Sequence, residues 1–372
     1  MRACVQGSRA CREFFEKRRR PVQARAGAAH APDGIWQEPA LRGAALVFDL
    51  DGDGRAEAVT ELWKEGRPYL VVLDGSTGAV ERSRPSALVL KFEASDFVSC
   101  HAFALDARLE VLWHATGGRR DAGHLPTAAD VDGDGRDEIA LGATLLGPDG
   151  RILWRKEFPP HADCTAIADV HPEPGREVFA SVCGTGPAYC LSAKGAVIWE
   201  KTREEVPHGQ GIWVGDFIEE EPGYEAVILR SGHVGDFLTV RARDGKELAS
   251  FRHRKEFRGY PDFPQVVRWL GRGADALWIP IDRTVVDGRG RPVAELGPHE
   301  AAVADLLRPG TTKEELGVQA IPLDLSGDER EELILYQPYR GRAILIFTQG
   351  DSDGREKPYR HGPNAYNLHT YF

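Results

Sequence analysis

From residue 40 onward, the apolar positions fall in short runs separated by polar, Gly-rich turns, not in stripes at helical spacing. The stretch "ADVDGDGRDEIALGATLLGPDGRILW" (129–154) is representative. It holds an acidic loop, a short apolar strand, a second strand, a "GPDG" turn and a third strand. Runs of this kind, bounded by Gly and Asp, predict strands and hairpins. Five segments end alike: "LVVLDGSTGAVER", "TLLGPDGRILW", "YCLSAKGAVIWE", "TVRARDGKELASF" and "RTVVDGRGRPVAEL" are each strand–turn–strand hairpins punctuated by Gly.

The acidic loops repeat as well. Asp130, Asp132 and Asp134 lie two apart in a tight turn, and Glu138 follows at the start of a strand. An EF-hand shares the spacing but needs a bidentate Glu at loop position twelve and flanking helices. Position twelve here is Leu141, and "EIALGATLL" is no amphipathic helix, so that reading fails. "FDLDGDGRAEAV" repeats the pattern with Asp49, Asp51, Asp53 and Glu57, and "LDLSGDEREELIL" repeats it weakly with Asp324, Asp328 and Glu332. Asp169/Glu177 and Asp216/Glu225 keep only the outer members. The leading aspartates 49, 130, 169, 216 and 324 are separated by 81, 39, 47 and 108 residues, which reads as two, one, one and two units. A fixed period in this range with four short strands per unit predicts an all-β protein, a β-propeller of four-stranded blades. Seven blades fill residues 35–372, starting near 40, 88, 123, 160, 207, 262 and 316; eight are reached if residues before 44 add strands. Carboxylates so arranged form a hard oxygen cage suited to Ca²⁺, set in turns that join the first and second strands of a blade.

Charge and composition narrow the function. A net charge of −10 argues against a nucleic-acid groove, and no stretch approaches eighteen apolar residues, so neither nucleic acid nor membrane is an expected partner. The chain is expected to act as a monomer. Residues 1–34 are basic, lack the apolar run of a signal peptide, and are expected to be a poorly ordered tail or one helix. Calcium turns favour a secreted or periplasmic setting, whereas the absent signal favours the cytoplasm. The six cysteines show no metal spacing and read as buried free thiols, although Cys164, Cys183 and Cys190 fall on successive strands.

If the acidic turns are structural clips, the chemistry belongs on the opposite face. That face carries the loops leading into each first strand and those joining the second strand to the third. The former supply His124, His161, His208 and Tyr260; the latter supply Lys64, Arg230, His233, Tyr336 and Arg340. Histidines at equivalent positions of three consecutive units, with Arg and Tyr beside them, suit β-elimination on a uronate-containing polysaccharide. Arg230 would neutralise the carboxylate, His208 or His233 would move the proton, and Tyr260 is the alternative acid. His161 belongs to the same cluster, with Lys64, His124, Tyr336 and Arg340 as substrate contacts. Hydrolysis is the competitor, kept open by Asp163, Asp236 and Asp262.

The run "HADCTAIADVHPEPGREVFASV" followed by "VPHGQGIWVGDFIEEEPGYEAVI" resembles paired blades of family 11 rhamnogalacturonan lyases. The resemblance implies a calcium-dependent β-propeller cleaving the rhamnose–galacturonate backbone of pectin. It is carried by His161, Asp163, Asp169, Gly175 and Glu177–Phe179, then by Gly209, Gly211, Asp216, Pro222, Gly223 and Glu225. Ala162 stands where that family has Gly, and Gln210 where it has Arg. It is best over residues 123–250. A non-catalytic propeller binding a glycan or protein through the same scaffold is the alternative reading.

Overall fold

The computed structural model describes residues 2–5, 46–48, 57–64, 67–73, 88–93, 99–105, 110–118, 123, 126–158, 161–183, 186–230, 235–252, 264–271, 275–296, 301, 319–323, 330–336 and 344–349. The expected elements are there. The strands form seven antiparallel sheets, five of four strands and two of three.

Arg2–Val5 (β1) comes first. The first three-stranded sheet then follows, with Leu46–Phe48 (β2), Glu57–Lys64 (β3) and Arg67–Leu73 (β4). The second has Leu88–Glu93 (β5), Ser99–Leu105 (β6) and Val111–Gly118 (β7). The third sheet comprises Pro126–Ala129 (β8), Glu138–Leu141 (β9), Thr144–Leu146 (β10) and Ile152–Arg155 (β11). The fourth comprises Ala162–Ala168 (β12), Glu177–Val182 (β13), Ala188–Leu191 (β14) and Val197–Lys201 (β15). The fifth comprises Gly211–Gly215 (β16), Glu225–Leu229 (β17), Asp236–Arg241 (β18) and Glu247–Arg252 (β19). The sixth comprises Gln265–Val267 (β20), Ala276–Ile279 (β21), Thr284–Val286 (β22) and Pro292–Glu295 (β23). The seventh takes Gln319–Leu323 (β24), Glu332–Tyr336 (β25) and Leu345–Thr348 (β26) from the end of the chain, and β1 from its start. That last pairing, Arg2 opposite Thr348 through Val5 opposite Leu345, differs from the tail or helix expected of the N-terminal extension.

Burial explains why the inner strands read as unbroken apolar runs. Successive side chains of a strand point to opposite faces, so a strand buried on both faces needs apolar residues throughout. In β13, Val178, Ala180 and Val182 pack toward the third sheet, while Phe179 packs toward the fifth. In β17, Ala226 and Ile228 face the fourth sheet, and Val227 and Leu229 face the sixth. Sheets two to seven therefore stack face to face in chain order, each sharing a core with the next. Burial falls from the first strand of a sheet to the fourth: β12 and β16 are wholly buried, whereas β11, β19 and β23 are mostly exposed or half-buried.

A second contact ties neighbouring sheets at their outer strands. Trp113, Trp154 and Trp199 each donate an indole N–H to a backbone carbonyl of the following sheet, at Pro148, Ala193 and Ala242. Each ring lies over a turn glycine of that sheet, Gly150, Gly195 or Gly245, where an added Cβ would meet the indole at 2.8–3.0 Å. All three glycines also have positive φ, so two constraints exclude a side chain there. Phe251 takes the same place over Gly290 without the N–H.

Candidate functional site

The acidic turn of the third sheet is held mainly by its own backbone. Asp130 accepts from the amides of Gly133 (2.8 Å) and Gly135 (3.1 Å), Asp132 from Asp134, and Asp134 from Arg136. Glu138 is buried at the start of β9 and accepts from Val131 (2.8 Å). Glu177 and Glu225 hold the same position in β13 and β17. Glu177 accepts from Val170 (3.0 Å), and Glu225 from Phe217 (2.8 Å) and Ile218 (2.9 Å). Glu332 opens β25 and is buried likewise. The recurring glutamate thus clasps the turn backbone, a role that its spacing alone did not reveal. Burial pushes the carboxyls of Glu138 and Glu225 up, Glu225 to about 7, with Asp132 and Asp216 adding repulsion respectively. Oxygens of Asp130, Asp132 and Glu138 lie within 4.8 Å of one another, close enough to share one cation. Asp49, Asp51, Asp53, Asp324 and Asp328 lie outside the described residues, and Glu57 is described only as the first residue of β3.

The opposite edge gathers a different chemistry. His161 and Asp163 flank the start of β12, Cys183 follows β13, His208 and Gln210 precede β16, Arg230 follows β17, and Asp236 opens β18. Backbone bonds fix their register: Cys183 N–H donates to His161 O (3.0 Å), His208 N–H to Arg230 O (2.9 Å), and Gly209 N–H to Val182 O of the neighbouring sheet (3.0 Å). Gly209 is crowded by Val182, so the crossing leaves no room for a side chain.

A polar chain runs through this edge. His161 Nε2 lies 2.9 Å from Asp163 Oδ1, and both side chains are buried. Gln210 Nε2 donates to Asp163 Oδ2 at 2.7 Å, and Gln210 Oε1 lies 3.1 Å from His208 Nε2. The carboxylate can only accept, so the amide nitrogen of Gln210 must face Asp163 and its oxygen must face His208. His208 Nε2 then carries the proton in that contact, which leaves Nδ1 as the basic nitrogen of the neutral ring. Cys183 Sγ stands 3.9 Å from the same Nε2. Arg230 Nε donates to Asp236 Oδ2 (3.2 Å), and Arg252 also approaches that carboxylate (3.5 Å). Thr127, at the start of the third sheet, donates to Thr165 O of β12 (3.1 Å).

His161, His208 and Arg230 are thus brought to one edge across two neighbouring sheets. Lys64 ends β3 and Tyr336 ends β25, the strand ends equivalent to that of β17 before Arg230. His124, His233, Tyr260 and Arg340 lie outside the described residues. His161 is buried and paired with Asp163, a placement for orienting neighbours, not for meeting a polymer. Of the carboxylates that kept hydrolysis open, Asp163 is engaged with His161 and Gln210 and Asp236 with Arg230, and Asp262 lies outside the described residues. Sequence reasoning did not foresee Gln210 as the bridge or Cys183 as a neighbour of the histidines. Of the thiols, Cys100, Cys164 and Cys190 are buried and outside any disulfide, as expected, whereas Cys183 is half-buried, and burial pushes Cys164 up to about 12.

Comparison with known proteins places the fold. The chain is 26% identical to rhamnogalacturonan endolyase YesW of Bacillus subtilis, covering 41% of this chain and 36% of that protein. It is 25% identical to rhamnogalacturonan exolyase YesX of the same organism, covering 60% and 36%. It therefore spans about a third of the length of these curated relatives. The crystal structure of YesW superposes with a TM-score of 0.56 at 19% identity, over 83% of this chain and 61% of that one. A Bacillus licheniformis rhamnogalacturonan lyase follows at 0.50, with 20% identity, 83% and 61%. The C-terminal-domain model of rhamnogalacturonan lyase family 11 matches residues 91–357, most of the described sheets and the whole polar edge, and the chain belongs to that family.

Proposed function

We propose that the chain is the propeller of a polysaccharide lyase that cleaves a uronate-containing, rhamnogalacturonan-type backbone by β-elimination at the His208–Arg230 edge. The observation that carries this reading is the family match over residues 91–357, which takes in the polar chain from His161 through Gln210 to His208. Elimination needs three things: a cation at the carboxylate, a base for the proton beside it, and an acid for the leaving oxygen. Arg230 supplies the charge, shared with Asp236. His208 Nδ1 is the basic nitrogen, because Gln210 holds the proton on Nε2. Asp163 and His161 fix Gln210 in that orientation. The leaving group's proton is assigned to His233 or Tyr260, and Lys64, His124, Tyr336 and Arg340 are assigned to substrate binding.

In the same reading the seven sheets close into one seven-bladed propeller domain, built from residues 35–372 together with β1, which completes the last blade. Ca²⁺ is held by Asp130, Asp132, Asp134 and Glu138, an all-oxygen set in which oxygens of Asp130, Asp132 and Glu138 lie within reach of one ion. It neutralises the turn and takes no part in the reaction. The turns at Asp49, Asp51, Asp53 and Glu57 and at Asp324, Asp328 and Glu332 bind Ca²⁺ likewise.

The test is ultraviolet absorbance of an unsaturated uronate end while the protein acts on rhamnogalacturonan and other uronate polysaccharides. His208→Ala should lose roughly 10²–10⁴-fold in turnover with an unchanged melting temperature. Glycan binding with no absorbance rise would replace the lyase by a binding module.

A further inference from the structure

We propose that His101 and His114 form a two-histidine site on the second sheet for a divalent transition metal, with Cu²⁺ as the chemical match. The residues lie on neighbouring strands, β6 and β7, where Phe103 stands opposite His114 and Thr116 opposite His101. The histidines are therefore diagonal neighbours on one face of the sheet, within reach of each other's rings. His101 Nδ1 lies 3.0 Å from His114 Nε2. With metal–nitrogen bonds of about 2.0 Å, two ligands at a right angle stand about 2.8 Å apart, and two at a tetrahedral angle roughly 3.3 Å. The observed separation falls between these values, nearer the first. Rotation of the rings, with the strands left in place, turns the contact into a chelate.

The surroundings suit an ion that arrives from solvent. Cys100, Ala102, Trp113 and Ala115 share a core with the third sheet, so strand alternation puts His101, Phe103, His114 and Thr116 on the other face. His114 is exposed and His101 half-buried. The ring of Phe103 lies flat against that of His114, at 4.2 Å and 2°, which limits its rotation. The two imidazoles lie within 18° of parallel with centroids 5.2 Å apart. Centroids that far apart over nitrogens at 3.0 Å mean that the rings meet edge to edge, nitrogen toward nitrogen. Two neutral imidazoles in such a contact share one N–H. Ligation needs a lone pair on both facing nitrogens, so the donating ring moves its proton to its other nitrogen and no charge changes. Imidazoles select late first-row metals, and among divalent ions Cu²⁺ binds most tightly, whereas the Ca²⁺ of the acidic turns takes oxygens. A bound ion ties β7, whose Trp113 holds the third sheet, to β6. The histidines are thirteen residues apart, a spacing that announces no site.

This inference stands on the second sheet alone and does not need the lyase reading. The test takes the full chain without an affinity tag, kept in calcium, and titrates it with Cu²⁺–iminodiacetate. The chelator holds its own share of the ion and leaves neighbouring positions open, so a surface pair takes the complex and a buried cluster does not. One equivalent should bind, and electron paramagnetic resonance should show nitrogen hyperfine structure from two imidazoles. Saturation should raise the melting temperature by a few degrees, because only the folded chain holds the pair together. His101→Ala and His114→Ala should each lose both effects while keeping the metal-free melting temperature. His101→Gln and His114→Gln, which keep a polar side chain on that face, should behave like the alanine variants. A wild-type protein that binds nothing, or that shows one imidazole only, overturns the site. So do single variants that each keep half of the bound copper, the behaviour of two independent histidines. No readout depends on polysaccharide cleavage, so failure here and failure of the lyase assay are separate results.

Discussion

The turns at 130–138 and 216–225 do one job by two means. In each, a buried glutamate at the start of the second strand accepts backbone amides from the turn before it. The first turn adds Asp130, Asp132 and Asp134, whose carboxylates take amides within the loop and leave oxygens over for an ion. The second has Ile218 and Glu220 at the equivalent inner positions, and its Glu221 is drawn off to Arg241 (3.2 Å). Its leading Asp216 instead donates its amide to Asp275 of the next sheet (3.1 Å). The glutamate therefore serves the fold in both turns, and the inner aspartates at 132 and 134 are what the 216–225 turn lacks. The 216–225 turn thus shows the clasp apart from the proposed ligand set.

That separation can be broken most directly at Glu225. Glu225→Ala strips the acceptor from two buried amides at once, and each orphaned donor costs about 1–3 kcal/mol. Denaturant unfolding should show the loss with or without calcium. A small loss, or one seen only in calcium, would return the glutamate to a ligand role.

Next in size is a pH effect confined to the same residue. Glu225 has a folded-state pKa of about 7, above the usual 4.5, through burial and the charges of Asp216 and Glu221. The native state then binds a proton that the unfolded chain has released. Stability contributed by that proton is present below pH 4.5 and is lost as pH rises through 7, by at most about 1.4 kcal/mol per unit. Glu225→Gln keeps an acceptor, so its unfolding free energy should be flatter over pH 4.5–7 than that of the wild type. Parallel pH profiles would refute the assignment.

The smallest effect is expected from calcium itself. Saturation at a hundred times the dissociation constant stabilises by about 2.7 kcal/mol per site, a shift of a few degrees in a chain of this size. Chelation should lower the melting temperature by that order, and Asp132→Ala should remove part of the response. Asp216→Ala should leave the calcium response intact. Equal responses in both variants would erase the distinction between the turns.

Much of the architecture was legible because its signals are local. Strand, Gly turn and strand recur in the sequence at one spacing, and β9–β10 and β14–β15 form where those runs lie. The edge carrying His161, His208 and Arg230 was legible for the same reason, since strand order alone assigns loops to faces. What stayed hidden depends on contacts between distant segments. Asp163 and Gln210 are 47 residues apart and meet because Gly209 crosses onto Val182. Cys183 meets His161 across a ladder, and a cysteine at an unremarkable spacing gives no sign of that. β1 was read as part of a basic tail because its partner strand is encoded at the other end of the chain.

The Trp-on-Gly contacts along the outer strands make each sheet's stability depend on the one beside it. Trp113 donates to the third sheet, Trp154 to the fourth and Trp199 to the fifth. The molecule can then be treated as units coupled to nearest neighbours, as in repeat arrays. Local opening should start in a sheet that lacks this Trp contact on one side and spread a sheet at a time. Amide exchange should accordingly be slowest in β12–β18, where both sides are held, and an insertion in one hairpin should be felt next door and hardly beyond.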